Sequence, residues 1–347
     1  MNELNQKIIA GIIKKAEAVC SDSLALIGLY GSVATGDTHE KSDLDLMIVI
    51  NDEFGWRLAD TFILNDVGIG YDIYCTGWDM LEEDAKCSHA HLSKLLDSPL
   101  VYVREQSAVQ RLEKLRKKAL SLLASDERYQ KAQTAFDNAK KMYADCFLSD
   151  AISQIRADAG TAINFLLDAV MLYHGRYFRN GVKRTFDELK ALPLSFNMEE
   201  NIMDIIRAET NTEIRNGLTT LMRNVRALLL FPSKKVEPAP DNISGTYEEM
   251  FSNWRNKMQE ASDRNDLFSS FMSMVSLQSM SSEIAKNVAV NEFDIMKHFD
   301  PHNPEKNLEV FDNALDGFLE EYRKAGIQPK RFADVDDFLA NYLEITV

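Results

Sequence analysis

The chain is predicted to be an α+β protein, with a small mixed-sheet domain at the N-terminus and an all-helical region after it. Short apolar runs bounded by turn residues mark the first hundred positions as mixed α/β. From about Ser107 onward long segments carry helical periodicity and almost no strand signal. A chain of 347 residues is also too long for one typical core, so at least two domains are expected.

The elements follow in order. Leu4, Ile8, Ile9, Ile12, Ile13, Ala16 and Val19 recur at helical spacing and predict an amphipathic first helix. An apolar run from Leu24 to Tyr30 then meets Gly31-Ser32, a strand end running into a short helix. Asp43 to Ile50 reads as the next strand, and Gly70 to Cys75 and Leu100 to Arg104 as two more, with Pro99 suited to a strand start. These elements make up a domain over residues 1–106. Helices are predicted at 107–124, 127–147, 150–174, 198–208 and 211–231, forming a bundle of antiparallel neighbours over 107–231. A turn-rich interval, His174 to Arg184, interrupts them. Pro232 to Gly245 carries three prolines and reads as a linker or extended crossing segment. Residues 246–347 are helical again, as a third unit or an extension of the bundle.

Composition narrows the function classes. The apolar and charged fractions, 45% and 27%, are those of an ordinary soluble globular protein, and no apolar run approaches the roughly 20 residues needed to cross a bilayer. The N-terminus lacks the pattern of a signal peptide. Cys20, Cys75, Cys87 and Cys146 lie far apart and form no C-x-x-C pair, which points to buried thiols in a reducing, cytoplasmic setting. A formal charge of −15 repels a polyanion, so it argues against a nucleic-acid partner and mildly favours a cationic small molecule.

The residues that carry chemistry sit between the first two strands. Gly31 at a strand end allows close backbone approach to a ligand, the free N–H groups of a helix start suit an anion, and Ser32 adds a hydroxyl donor. Asp43 and Asp45 alternate with Leu44 and Leu46, so both carboxylates share one face while the leucines point inward. Their Cα atoms would lie about 6.6 Å apart, and two hard oxygen ligands facing a phosphate site suit Mg²⁺. Asp72, in the following strand, is placed to come opposite the pair. Three converging carboxylates require cations, and two metal ions a short distance apart would neutralise them.

Gly31-Ser32, the ten residues between, and Asp43-Leu44-Asp45 resemble the signature of the polymerase-β-like nucleotidyltransferase superfamily, with Asp72 where that family places its third carboxylate. The form Gly-Ser-x-Ala-x-Gly-Asp…Ser-Asp-Leu-Asp-Leu looks most like the bacterial branch that holds aminoglycoside, lincosamide and minimal nucleotidyltransferases. The specific match covers about residues 24–76, and a weaker similarity of layout extends to about 230. The resemblance implies that Gly31 and Ser32 hold the phosphates of an NTP and that Asp43 and Asp45 bind Mg²⁺. Asp72 would bind a second ion or take the acceptor's proton.

Several other patterns in the chain have plainer explanations. Gly31 to Thr38 nearly spells a P-loop, but Asp37 stands where the lysine must be, which excludes that mechanism. Cys87, His89 and His91 have no fourth partner at useful spacing for structural zinc. His298 and His302 read as loop residues, Arg111 to Lys118 as a solvated helix face, and Met272, Met274 and Met280 as core filling. In the turn His174 to Arg184 basic and aromatic groups interleave, so Lys183 and Arg184 become candidate nucleotide-gripping cations, with an ordinary charged loop as the alternative.

The expectation is therefore an Mg-dependent enzyme that moves a nucleoside monophosphate, AMP from ATP, onto a hydroxyl of a small molecule such as an aminoglycoside or lincosamide. Two alternatives stay open. One is a toxin–antitoxin-type nucleotidyltransferase that labels a protein or RNA partner; the other is a non-catalytic nucleotide-binding protein.

Overall fold

A computed structural model of the protein describes residues 2–229 and 235–343. The chain divides into two compact units, residues 1–231 and 232–347.

The first unit opens with α1 (Glu3–Val19), β1 (Leu24–Leu29), the one-turn α2 (Gly31–Thr35) and β2 (Leu46–Ile50). Then come β3 (Asp60–Leu64), β4 (Ile69–Ile73), β5 (Cys75–Gly77), α3 (Trp78–Asp84), α4 (Ser93–Leu96) and β6 (Leu100–Val103). Four strands form one mixed sheet in the order β5-β2-β1-β6, with β1 antiparallel to both neighbours and β5 parallel to β2. Every residue of β1 and β2 is buried, because both faces of the sheet are covered. Ile9, Ile12 and Ala16 of α1 pack on the face that carries Leu24, Ile27, Ile48 and Ile50. Ala25, Leu26, Met47 and Val49 face the other way, into the core of the helices that follow.

Those helices are α5 (Gln106–Ala124), α6 (Glu127–Leu148), α7 (Ile152–Tyr173), α8 (Thr185–Lys190), α9 (Met198–Arg207) and α10 (Asn211–Leu228). The predicted spans hold to within a few residues, except that 230 and 231 lie outside the described residues. Helices α6 and α7 pack together along their length, with Ala132, Ala135 and Ala139 buried on one and Ala159, Ala162 and Ala169 on the other. Residues 1–106 and 107–231, expected as two domains, are joined by one continuous core that runs from Leu26 through Leu112 and Ala162 to Val225.

The strand predictions needed revision at two places. The ladder of β2 begins at Leu46, so Asp43 and Asp45 precede it, although the alternation of exposed Asp43 and buried Leu44 persists. The segment read as one strand from Gly70 to Cys75 is two. β4 pairs with β3, an element the sequence reading missed, in a separate antiparallel hairpin; only β5 joins the main sheet. Asp72 is therefore not on the ladder beside β2, because the chain turns from one sheet to the other between Ile73 and Cys75.

The second unit holds α11 (Pro240–Ile243), α12 (Thr246–Met250), a π-helical turn over Phe251–Arg255, α13 (Asn256–Asp263), α14 (Leu267–Asn287), α15 (Pro304–Lys324) and α16 (Val335–Tyr342). Met250, Met258, Met274, Leu277, Phe311 and Phe318 form its core. The proposed linker is partly built into it: Val236 bridges Val288, and Ile243 is buried. Among the described residues no helix is long and apolar enough to cross a membrane.

Helix α7 ends at Gly175, whose φ of +64° is the left-handed conformation that favours glycine. A Cβ there would lie 2.5 Å from the Leu123 carbonyl oxygen. Gly175→Ala is expected to destabilise the first unit by about 2 kcal/mol or more, through left-handed strain and the backbone clash. Thermal unfolding checks this: a drop of several degrees is expected.

Candidate active site

The site forms at the end of the sheet where β1 finishes and β2 starts. Leu29 N–H donates to the Pro99 carbonyl at 2.9 Å and Tyr30 N–H to the Asp45 carbonyl at 3.1 Å, so pairing continues on both sides to the last residue before the turn. Gly31 then takes a φ of +66°. A Cβ at this position would sit 1.9 Å from Asp45 Oδ2 and 2.6 Å from its Cγ. Glycine is required here on two counts, the left-handed backbone and the carboxylate packed on its α-carbon. Helix α2 follows at once, with Ser32 half-buried and the Thr35 hydroxyl donating back to the Gly31 carbonyl at 3.1 Å. Gly36, at φ +75°, ends the turn.

The loop beyond is tied down locally. His39 N–H donates to Ser42 Oγ at 2.8 Å, and Ser42 N–H returns to the His39 carbonyl at 2.9 Å. Lys41 Nζ donates to the Val67 carbonyl at 2.6 Å, which anchors this loop to the β3–β4 hairpin. That hairpin carries Asp72, whose Oδ1 accepts from the cross-strand Thr61 hydroxyl at 3.2 Å.

Two segments thus carry the candidate acids, Asp43 and Asp45 on the approach to β2 and Asp72 on β4. Their convergence registers on Tyr30, a residue the sequence reading gave no role. Burial, and then the charges of Asp45, Asp43 and Asp72, push its phenol up to about 12. Burial and the neighbouring Asp43 charge also hold the Asp45 carboxyl above its ordinary range. Among the described residues no donor or cation of the protein is hydrogen-bonded to the side chain of Asp43, which is exposed, or of Asp45, which is half-buried, so both carboxylates are open to an added cation. Hard carboxylate oxygens in that state fit a divalent cation such as Mg²⁺, which takes one or two carboxylates and completes its shell with water and phosphate. No group of three or more acidic, histidine or cysteine side chains among the described residues is set to cage a metal. The expected three-carboxylate centre is therefore not preassembled: Asp43 and Asp45 are neighbours, and Asp72 stands apart on its hairpin.

Lys183 and Arg184 are brought to this end of the sheet. They form a 3₁₀ turn, Val182–Arg184, between α7 and α8. Arg184 grips Asp37 with two hydrogen bonds, Nε to Oδ2 at 2.9 Å and Nη2 to Oδ1 at 3.0 Å. Lys183 Nζ donates to the Asp37 carbonyl and lies 3.4 Å from its carboxylate. The Arg184 hydrogen bond, ahead of Lys183, holds the Asp37 carboxyl down at about 2. Closer to α7, Phe178 N–H donates to the Ala90 carbonyl at 2.8 Å and the Tyr177 hydroxyl to Asp97 at 2.8 Å. The turn is a bracket between the bundle and the sheet domain rather than a free charged loop. Asp37 and Tyr177 entered the sequence reading without these partners, and nothing local in the chain marks them.

The remaining candidates behave as structural groups. Cys87 is buried and its Sγ lies 3.7 Å from the Ala119 carbonyl oxygen. His89 is 3.4 Å from Asp84, and His91 stacks on Phe178 with ring centroids 5.0 Å apart. All four cysteines are free and buried.

Residues 12–86 match the family model of a nucleotidyltransferase domain. No curated protein matches the chain. Among solved structures, a nucleotidyltransferase-like protein from Exiguobacterium sibiricum 255-15 aligns over 82% of this chain and 91% of its own, with 11% identity and a TM-score of 0.37. That likeness is too weak to bear on function. The matched segment contains Tyr30, Gly31, Ser32, Asp43, Asp45 and Asp72, so the site lies within a nucleotidyltransferase domain. The protein is a transferase, and the domain supports transfer of a nucleoside monophosphate.

Two outcomes follow. Gly31→Ala displaces the Asp45 carboxylate and is expected to cut transfer by about 100-fold or more, with unchanged circular dichroism. Asp37 has a folded-state value below its unfolded one, so the stability it contributes is complete above about pH 4 and is lost as pH falls through about 2. Asp37→Asn is expected to flatten that acid limb in urea unfolding curves collected across pH.

Proposed function

We propose that the protein transfers AMP from Mg·ATP to a hydroxyl of a small molecule at this site. The observation that carries the reading is the Asp43–Asp45 pair, whose side chains accept no protein hydrogen bond among the described residues and which stands beside Gly31 inside the matched segment. Gly31 and Ser32 hold the phosphates, where the backbone is bare and a hydroxyl is at hand. Asp43 and Asp45 hold the Mg²⁺, which when bound screens the phosphate charge and orients the reacting phosphoryl group. Asp72, on its own hairpin, is the group that accepts the proton of the attacking hydroxyl. Tyr30 stays protonated across the working range, since its phenol is held near 12. Pyrophosphate leaves. Catalysis is mainly positioning and charge neutralisation, as in phosphoryl transfer generally.

The acceptor class we assign is an aminoglycoside or lincosamide. The formal charge of −15 favours a polycationic acceptor by long-range attraction. The turn His174 to Arg184 brings the bundle to the same end of the sheet, which makes the bundle the natural acceptor-binding wall. The enzyme acts in the cytoplasm, where ATP and Mg²⁺ are available.

Mass spectrometry of the protein with Mg²⁺, ATP and pooled aminoglycosides and lincosamides tests this reading. One compound is expected to gain a single AMP, and Asp43→Asn is expected to abolish that gain. A labelled protein would move the acceptor from small molecule to macromolecule. No label with bound Mg·ATP would sink the antibiotic assignment.

A further inference from the structure

We propose that Asp37 occupies an anion site formed by Lys183 and Arg184, and that the β- and γ-phosphates of the NTP displace it on binding. The inference rests on the nucleotide reading of the site and adds an internal competitor to it.

Arg184 presents its two nitrogens, Nε and Nη2, as a fork to the two carboxylate oxygens of Asp37, at 2.9 and 3.0 Å. That planar, paired geometry is the one a guanidinium offers to phosphate. The opposite edge of the same guanidinium is held by Asp187, from Nη1 at 3.2 Å. Asp187 belongs to α8, which Arg184 directly precedes, so the guanidinium retains a carboxylate partner when Asp37 leaves. Lys183 adds a second cation, 3.4 Å from the same carboxylate.

Asp37 is well placed to be exchanged. It lies one residue beyond Gly36, in the segment that follows α2, so its position is coupled to Gly31 and Ser32. Gly36 has a φ of +75° and nothing within 4 Å of the place a Cβ would take, which leaves that joint room to turn. The pair is open to solvent, the Arg184 side chain being 48% and Asp37 25% exposed. Solvent and salt screen such an exposed pair, so it holds less firmly than a buried one would. A polyphosphate brings more charge and more acceptor oxygens than one carboxylate, and it arrives with Mg²⁺ at the neighbouring Asp43 and Asp45. Exchange of the carboxylate for phosphate would draw the bundle's turn onto the nucleotide and free the loop of Asp37.

Isothermal titration calorimetry with two probes, a non-hydrolysable Mg·ATP analogue and inorganic tripolyphosphate, tests the exchange on the full chain. Asp37→Asn is expected to tighten both by about three- to tenfold. The Lys183→Gln/Arg184→Gln double variant is expected to weaken both by about tenfold or more. Adding Asp37→Asn to that double variant is expected to change nothing, because the competitor then has no site left to block. Unchanged or weaker binding by Asp37→Asn would make Asp37 a strut and overturn the proposal. Equal tightening in both backgrounds would reduce the effect to general charge repulsion and overturn it too. Tripolyphosphate binding with the expected pattern but no response to the ATP analogue would retain the anion site and remove the nucleotide reading. Binding of neither probe by the wild-type protein would remove both. Thermal melts of each variant confirm that the titrated protein is folded.

Discussion

The carboxylate of Asp45 rests against the α-carbon of residue 31, in space that any side chain there would fill. The other features of the site follow from that contact. It forces glycine at the end of β1, sets the left-handed turn that starts α2, and brings a partly buried acid beside Asp43, its side chain accepting no protein hydrogen bond among the described residues. A half-buried acid beside a second carboxylate is costly unless a cation completes the arrangement. The sheet can hold such an unfavourable group because β1 and β2 are packed on both faces, which leaves the backbone around Tyr30 and Asp45 little freedom to relax.

The helical region contributes to the site by more than proximity. Its core is continuous with one face of the sheet, and its turn between α7 and α8 reaches back to the loop after α2. Phe178 and Tyr177 secure the near end of that turn, on Ala90 and Asp97, while Lys183 and Arg184 secure the far end, on Asp37. The two ends differ in kind. One combines a buried aromatic ring with hydrogen bonds; the other is a solvent-exposed ionic contact. Stable and labile attachments placed in series are what a turn needs if one end is to stay fixed while the other exchanges partners.

The second unit has a separate core. Tyr322 pins it, its hydroxyl donating to Glu248 Oε2 at 2.9 Å and accepting from Tyr247 N–H at 2.9 Å. α16 behaves differently from the other helices of this unit: Val335, Leu339 and Tyr342 are exposed, and none of its residues is buried. The proline-rich segment that opens the unit is not a free spacer throughout, since Val236 bridges Val288.

Much of this was legible in the chain itself. Alternation of Asp43, Leu44, Asp45 and Leu46, glycine at a strand end and helical periodicity after Ser107 are local patterns. Local backbone geometry turns each directly into structure. The β3–β4 pairing was not legible: β4 falls within the strand predicted from Gly70 to Cys75, but β3 alternates weakly and is defined mainly by its pairing with β4, which took Asp72 to a separate sheet. Nor was the meeting of Arg184 with Asp37, 147 residues away in the chain. The amino-acid sequence by itself marked the candidate residues and the face of their segment on which they lie, since both follow from residue type and period. Tertiary structure alone decided which charges meet: a carboxylate has no means of specifying its distant cation, and only the packing of the bundle on the sheet sets the distance on which Coulomb attraction depends.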